Sequence, residues 1–374
     1  MFSFDYFRET APTVFERVSP GSRSYQRGPD FVAMRYSGVG NLTAQVVPVE
    51  PSSASSGCEP SDFAAFPRGA VALLRRGGCT FSQKAGNAAA SGAAAALIAN
   101  DGSPGRTAPI SATLIVRVQM PVLIVSSEVA SELAMMAGIG PVQVRIVLTA
   151  LTTRAQGANV VADLPGRRSG VVLLGAHLDS VANGPGINDN GSGTALVLEA
   201  ARQARRLRIR PRYGLRFAFW GAEELGLFGS TSYVESLSPR QRSRIRGVLN
   251  LDMVGSPNFV RVVYDGAGQP PGSLRIERAF RAYFASRGLA VEEASLGGSS
   301  DHAAFARAGI PVGGLFTGAD DLKSAELARR FGGSGGQAFD ACYHKACDTV
   351  ANVDLRVLDQ LADAAAVVAV RLAG

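Results

Sequence analysis

In Val171-Val-Leu-Leu-Gly-Ala-His177-Leu-Asp179-Ser180, a β-branched and leucine run with no polar relief passes directly into an imidazole and a carboxylate. An apolar run of this length without alternation predicts a strand buried on both faces, the kind found in parallel sheets covered by helices. Ligands of such sheets collect at the carboxyl ends of the strands. The pattern recurs downstream. Leu215 to Trp220 runs into Gly-Ala-Glu223-Glu224, and Val248 to Leu251 runs into Asp252. A glycine-rich loop, Gly184-Pro-Gly-Ile-Asn-Asp189-Asn-Gly-Ser-Gly193, adds one more carboxylate ahead of a helical pattern from Thr194 to Leu207. With Leu274 to Arg287 and Leu355 to Leu372 as helices and Ile310 to Leu315 as a strand, the alternation predicts an α/β fold: a mostly parallel central sheet flanked by helices.

Taken singly, each polar residue has a plain explanation. A histidine at a strand end is usually a hydrogen-bonded structural residue, an aspartate there often caps the next helix, and paired glutamates are commonly solvated. Together they gather repelling carboxylates at one rim, which calls for a cation. Imidazole and carboxylate donors without a free thiolate fit zinc, and one shared carboxylate allows two ions. Of the three histidines, His177 ends the first strand, His344 lies between Cys342 and Cys347, and His302 sits in Ser300-Asp301-His302.

Upstream the texture changes. Residues 1 to 36 open with alternating aromatic and polar side chains (Phe2, Phe4, Tyr6) that predict an edge strand and then loop. From Tyr36 to Ala155, short β-type runs at Thr43 to Val49, Ala70 to Leu74, Val122 to Val125 and Val142 to Thr149 surround one alanine-rich helix, Ser82 to Ala95, which predicts a compact β-rich unit. The length of 374 residues allows two or three domains, and 46% hydrophobic against 18% charged residues excludes wholesale disorder. No apolar run approaches the roughly 18 residues that span a bilayer, so no membrane partner is expected. The net charge is +7, carried by 35 arginines and only three lysines. The arginines from Arg202 to Arg216 lack interleaved aromatics or a nucleic-acid motif, so they read as a solvated basic face and no nucleic-acid partner is expected. Four cysteines, Cys58, Cys79, Cys342 and Cys347, suit disulfides and an oxidising compartment but allow three connectivities. The pairing expected is Cys342 with Cys347, and Cys58 with Cys79 remains a candidate pair.

Gly-Ala-His177-Leu-Asp179-Ser, Asp189-Asn-Gly-Ser-Gly, Phe-Trp-Gly-Ala-Glu223-Glu224-Leu-Gly, Asn-Leu-Asp252-Met and Cys-Tyr343-His344 resemble the motifs of the co-catalytic di-zinc aminopeptidases of family M28, particularly secreted actinobacterial members. Gly57-Cys58, Ser61-Asp62-Phe63, Arg76-Gly-Gly-Cys79-Thr-Phe, Lys84 and Asn87-Ala-Ala resemble the protease-associated (PA) domain often inserted in such enzymes. The resemblance implies a zinc-peptidase, phosphorylase/hydrolase-like sheet with residues 1–35 as an N-terminal fragment of the peptidase domain, 36–155 as the PA insertion and 156–374 as the peptidase domain. It implies one zinc on His177 and Asp252, another on Glu224 and His344, and Asp189 bridging both. Asp179 is expected to orient His177, Glu223 to act as general base, and Tyr343 to donate to the oxyanion.

The implied reaction removes the N-terminal residue of a peptide or protein with a free amino terminus, by a water activated at two zinc ions. Glu223 and Asp252 are the nearest acceptors for the substrate ammonium, and His302 is expected to be structural or pocket-lining. Relatives usually begin with a helical segment that has no counterpart here, so a truncated start that has lost a secretion signal is expected, together with an extracellular, monomeric protein. Some relatives bind calcium through acids of the C-terminal helix. Asp359 and Asp363 offer half of such a site. The alternatives are another zinc amidohydrolase of the same fold, a carboxypeptidase or cyclase, and a non-enzymatic receptor-like relative.

Overall fold

The computed structural model describes the chain except residues 51, 52, 54, 104, 105, 111, 115 and 295–297. It divides into two compact units, one formed by residues 1–4 and 156–374, the other by residues 5–155. Phe2–Glu9 pairs with Ala150–Gly157 in a two-stranded sheet, and both passages of the chain between the units fall inside these two strands.

The larger unit holds a seven-stranded sheet in the order Val160–Leu164, Tyr213–Trp220, Arg168–His177, Ile245–Leu251, Val312–Phe316, Val262–Tyr264, Glu292–Ala294. Arg168–His177 runs parallel to both neighbours, with His177 opposite Trp220 and Gly175 opposite Asn250. Ile245–Leu251 is likewise parallel to Val312–Phe316, while Val160–Leu164 and Val262–Tyr264 pair antiparallel. The alternating side chains of the central strands explain their lack of polar relief. Val172, Leu174 and Ala176 face a core shared with the helices Gly193–Arg206, Ser273–Ser286 and Leu355–Ala373. Leu173 faces a second core with Val234 and Phe305, from Phe228–Ser236 and His302–Arg307. A polar side chain on either face would be stranded away from water.

The smaller unit carries an eight-stranded sheet in the order Arg23–Ser24, Val14–Ser19, Gln143–Leu148, Gly40–Pro48, Val71–Arg75, Ala95–Ala99, Val122–Val125, Phe31–Ala33. Residues 5–35 therefore do not extend the peptidase sheet as expected. Val14–Ser19 pairs with Gln143–Leu148, and Phe31–Ala33 pairs with Val122–Val125. The alanine-rich helix is shorter than expected, Phe81–Ala90, because Gly92 turns the chain with φ +82° and Ala95 starts a strand. A second helix, Ser127–Ile139, follows later in the sequence of this unit; Ser126 caps it by accepting from the N–H of Val129 at 3.2 Å. Cys58 is bonded to Cys79, and Cys342 to Cys347.

Candidate metal centre and active site

Parallel strands deliver the candidate residues to one rim. His177 is the last residue of its strand and is 1% exposed. Its carbonyl accepts from Thr194 Oγ1 at 2.7 Å, which ties the strand end to the first turn of Gly193–Arg206. Nδ1 faces the backbone carbonyl of Asp179 at 3.0 Å, so the ring proton sits on Nδ1 and donates there. Nε2 is left with a lone pair aimed at Asp252 Oδ1, 3.2 Å away, and Asp189 Oδ1, 3.3 Å away. The second imidazole repeats the arrangement: His344 Nε2 lies 3.0 Å from Asp189 Oδ2 and 3.2 Å from Glu224 Oε2.

Two triads result, His177–Asp189–Asp252 and Asp189–Glu224–His344, each with donor atoms within 4.8 Å of one another. Asp189 belongs to both and turns a different oxygen to each. Lone pairs and anions facing one another at about 3 Å are unfavourable unless a proton or metal ion lies among them. Two nitrogens and three carboxylates in two clusters suit zinc, whose small coordination number each triad leaves room to complete.

The electrostatics point the same way. Burial disfavours charge on His177, yet Asp252, Glu223 and Asp189 overcome it and push its pKa well above the ordinary imidazole value. His344 is likewise raised to about 9 against burial, by Asp189 and Glu224. Burial works against ionisation of Asp189, but the two imidazoles outweigh it and its pKa is lowered. Glu223 carries no metal-directed contact and is pushed well above the carboxylate range, by burial first and then by Asp301, Asp252 and Glu224 against His177. A carboxylate so placed is suited to taking up a proton. Tyr343, whose ring stacks on His344 at 3.8 Å between centroids, is pushed well above the ordinary phenol value by burial and the surrounding carboxylates, so it stays a donor.

Asp179 differs from expectation in how it acts. Its carboxylate lies 3.9 Å from His177 Nδ1, beyond hydrogen-bond reach, and it is the backbone carbonyl that orients the ring. The carboxylate instead accepts from the N–H groups of Glu223 at 3.0 Å and Glu224 at 3.1 Å. One side chain therefore holds both the candidate base and a candidate ligand. Ala222, Met253 and His344 take left-handed backbone with φ between 49° and 58°. They adjoin or belong to the candidate set, as strained backbone at working sites commonly does.

Several further residues support the set through contacts that local sequence does not reveal. Ser300 Oγ donates to Asp252 Oδ2 at 2.6 Å and accepts from Asn250 Nδ2 at 2.9 Å. Buried Asp348 accepts from the N–H groups of Asn188 at 2.9 Å and Asp189 at 3.1 Å. Buried Asp340 accepts from Asn188 Nδ2 at 2.6 Å and from the Cys342 N–H at 2.8 Å, linking the Asp189 loop to the disulfide loop of His344. His302 is buried with its ring edge-on to Tyr264, 5.1 Å between centroids, and is in neither triad. Asp359 and Asp363 are exposed on Leu355–Ala373, and among the described residues no third donor joins them.

Comparison with known proteins agrees with this chemistry. The model of peptidase family M28 matches residues 159–369 and that of the PA domain matches residues 42–133. An aminopeptidase of Pseudomonas aeruginosa is 41% identical over 380 residues, covering 98% of this chain and 70% of that protein. Leupeptin-inactivating enzyme 1 of Streptomyces exfoliatus is 49% identical over 220 residues, 58% of this chain and 49% of that one. Among solved structures, an aminopeptidase from Aneurinibacillus sp. strain AM-1 superposes with a TM-score of 0.78 at 26% identity, covering 100% of this chain and 82% of that one. A zinc aminopeptidase from Bacillus subtilis gives 0.63 at 26% identity, covering 98% and 84%.

Proposed function

The chain belongs to peptidase family M28 and is a metal-dependent aminopeptidase with a PA domain; on that premise we propose that it releases the N-terminal residue of peptides and proteins at a centre of two zinc ions. The observation that carries the reading is the sharing of Asp189 between two donor triads with Glu223 beside them. His177 and Asp252 would hold one ion, Glu224 and His344 the other, and Asp189 both. Zinc bound there supplies Lewis acidity, lowering the pKa of water and polarising a carbonyl.

The protein's own groups do the rest. Glu223 accepts a proton from the attacking water and returns it to the leaving amine, from its position next to Glu224. The Tyr343 hydroxyl donates to the oxygen that gains charge as the carbonyl carbon becomes tetrahedral. Glu223 and Asp252 provide the negative potential that draws the substrate's free ammonium to the rim, and an acetylated terminus would lack that attraction. Two disulfides fit a protein that works in an oxidising, extracellular setting.

The test compares hydrolysis of a leucyl peptide with its N-acetylated form, with elemental analysis of the same sample. The free amine should be strongly preferred and two zinc ions should be found per chain. Equal cleavage of both peptides, or one zinc after full reconstitution, would overturn it.

A further inference from the structure

The amino ends of the parallel strands form a second pole of the peptidase unit. Arg168 donates its N–H to the Arg212 carbonyl at 2.7 Å, and Val171 donates to the Arg244 carbonyl at 2.9 Å, so these arginines open neighbouring strands at one edge. The flanking sequence is one-signed. Residues 200–222 contain seven arginines and residues 236–251 contain four, with no aspartate or glutamate in either stretch.

At this pole lies a recess of about 640 Å³ lined by Arg242, Arg246 and Arg275 among Pro239, Pro271 and Pro311. Among the described residues no carboxylate lines it. Among the described residues none of the three guanidiniums forms an ion pair; Arg242 donates Nε to the Leu237 carbonyl at 3.1 Å. Arg246 lies over the Tyr213 ring at 5.0 Å and Arg212 lies over the same ring at 5.4 Å, so the charge continues from the recess onto the neighbouring strand end.

We propose that this recess binds an acidic polysaccharide chain, its uronate or sulfate groups held by the Arg242, Arg246 and Arg275 guanidiniums. Three arginines that form no ion pair among the described residues line one concavity, and their guanidiniums carry forked donors suited to carboxylate and sulfate oxygens. The concave form favours a thin flexible chain. Duplex DNA and an anionic lipid surface carry charge of the same sign and are the competitors against which the experiment measures. Single-stranded nucleic acid would need an open aromatic platform for its bases, and among the described residues no aromatic side chain lines the recess; the neighbouring Tyr213 is flanked by two guanidiniums. The inference is independent of the chemistry at the opposite rim, since none of these residues belongs to either donor triad.

The experiment titrates a defined polyuronate oligosaccharide into the full chain by calorimetry at several salt concentrations. The wild type and R242Q/R246Q/R275Q are compared, with R329Q/R330Q/R356Q as a charge-matched control on other helices. Binding should weaken at least about tenfold in the triple variant. The slope of log affinity on log salt should fall by up to about one per arginine removed. The control should bind like the wild type, and all three proteins should keep the same kcat/KM on a leucyl peptide, which also shows that the triple variant is folded. If it does not fold, R246Q alone should still weaken binding severalfold. No binding by the wild type at low salt, equal weakening in the control, or equal affinity for duplex DNA or vesicles of anionic phospholipid would overturn the proposal.

Discussion

The same parallel strands end in opposite chemistries. At their carboxyl ends, His177 faces Asp252 at 3.2 Å and Glu224 faces His344 at 3.2 Å, and the proton affinities of His177 and Glu224 are raised. At their amino ends, Arg244 and Arg246 are exposed, and water shares their charge. Both ends concentrate charge of one kind, yet only burial turns that concentration into reactivity, because a charge in water loses most of its field to the solvent. The rim should therefore be intolerant of single changes and the pole tolerant of several.

The most severe test of that contrast is Asp189→Ala, which removes a donor from both triads at once. Zinc retention should fall by more than the roughly 100-fold that loss of an outer partner costs, with activity lost alongside it, read by elemental analysis and peptide turnover. A variant that still held two zinc ions would show that the shared carboxylate is dispensable. Next in size, Glu223→Gln should lower kcat by about 100-fold or more while zinc content stays unchanged. Glu224→Gln should instead lose zinc, and identical behaviour of the two would erase the distinction drawn between adjacent glutamates.

One step further out, Asp348→Ala should cost about 10–100-fold in zinc affinity, measured by competition with a chelator, because the N–H groups of Asn188 and Asp189 lose their acceptor. If affinity held while the melting temperature dropped, Asp348 would be a purely structural residue.

Lys84 sharpens the comparison from outside the rim. It is buried in the smaller unit, near Cys58 Sγ and bonded to the Ser56 carbonyl, and burial lowers its pKa to about 8, with Asp62 acting in the opposite direction. The unfolded chain keeps that proton up to the ordinary lysine value while the folded chain releases it near pH 8. Stability of this unit should therefore rise between about pH 8 and 10.5. In Lys84→Met the rise should vanish from denaturation curves recorded across that range, and an unchanged slope would assign it to another group. The smallest effect belongs to the arginine-rich stretch. Arg202→Ala breaks an exposed 2.7 Å pair with Glu199 and should alter unfolding free energy by less than about 0.5 kcal/mol. A loss well above that would mean the arginine-rich face carries structural weight.

Much of the larger unit is legible in the sequence. Apolar runs without alternation reveal two-sided burial, and the residue following each run is by that fact on the rim, so His177, Glu223, Glu224 and Asp252 could be named from local sequence alone. Their chemistry was legible too, since imidazole and carboxylate without thiolate narrows the choice of metal. The smaller unit was legible only in outline. Val14–Ser19 and Phe31–Ala33 join the smaller unit's sheet through Gln143–Leu148 and Val122–Val125, partners remote in sequence, and no local signal reveals which of two sheets such a strand will join.

What the sequence by itself determined is the inventory: which strands are buried, which ionisable groups they carry to their ends, and which kind of ion those groups suit. Tertiary structure alone decided how the groups are aimed. That Asp189 turns one oxygen to each histidine, that the Asp179 carboxylate grips the Glu223 and Glu224 backbone instead of the His177 ring, and that Asp340 and Asp348 brace loops about 160 residues apart follow from side-chain direction and non-local contact. Hydrogen bonds depend on distances of a few tenths of an ångström between residues remote in sequence, and periodicity along the chain carries no information at that scale.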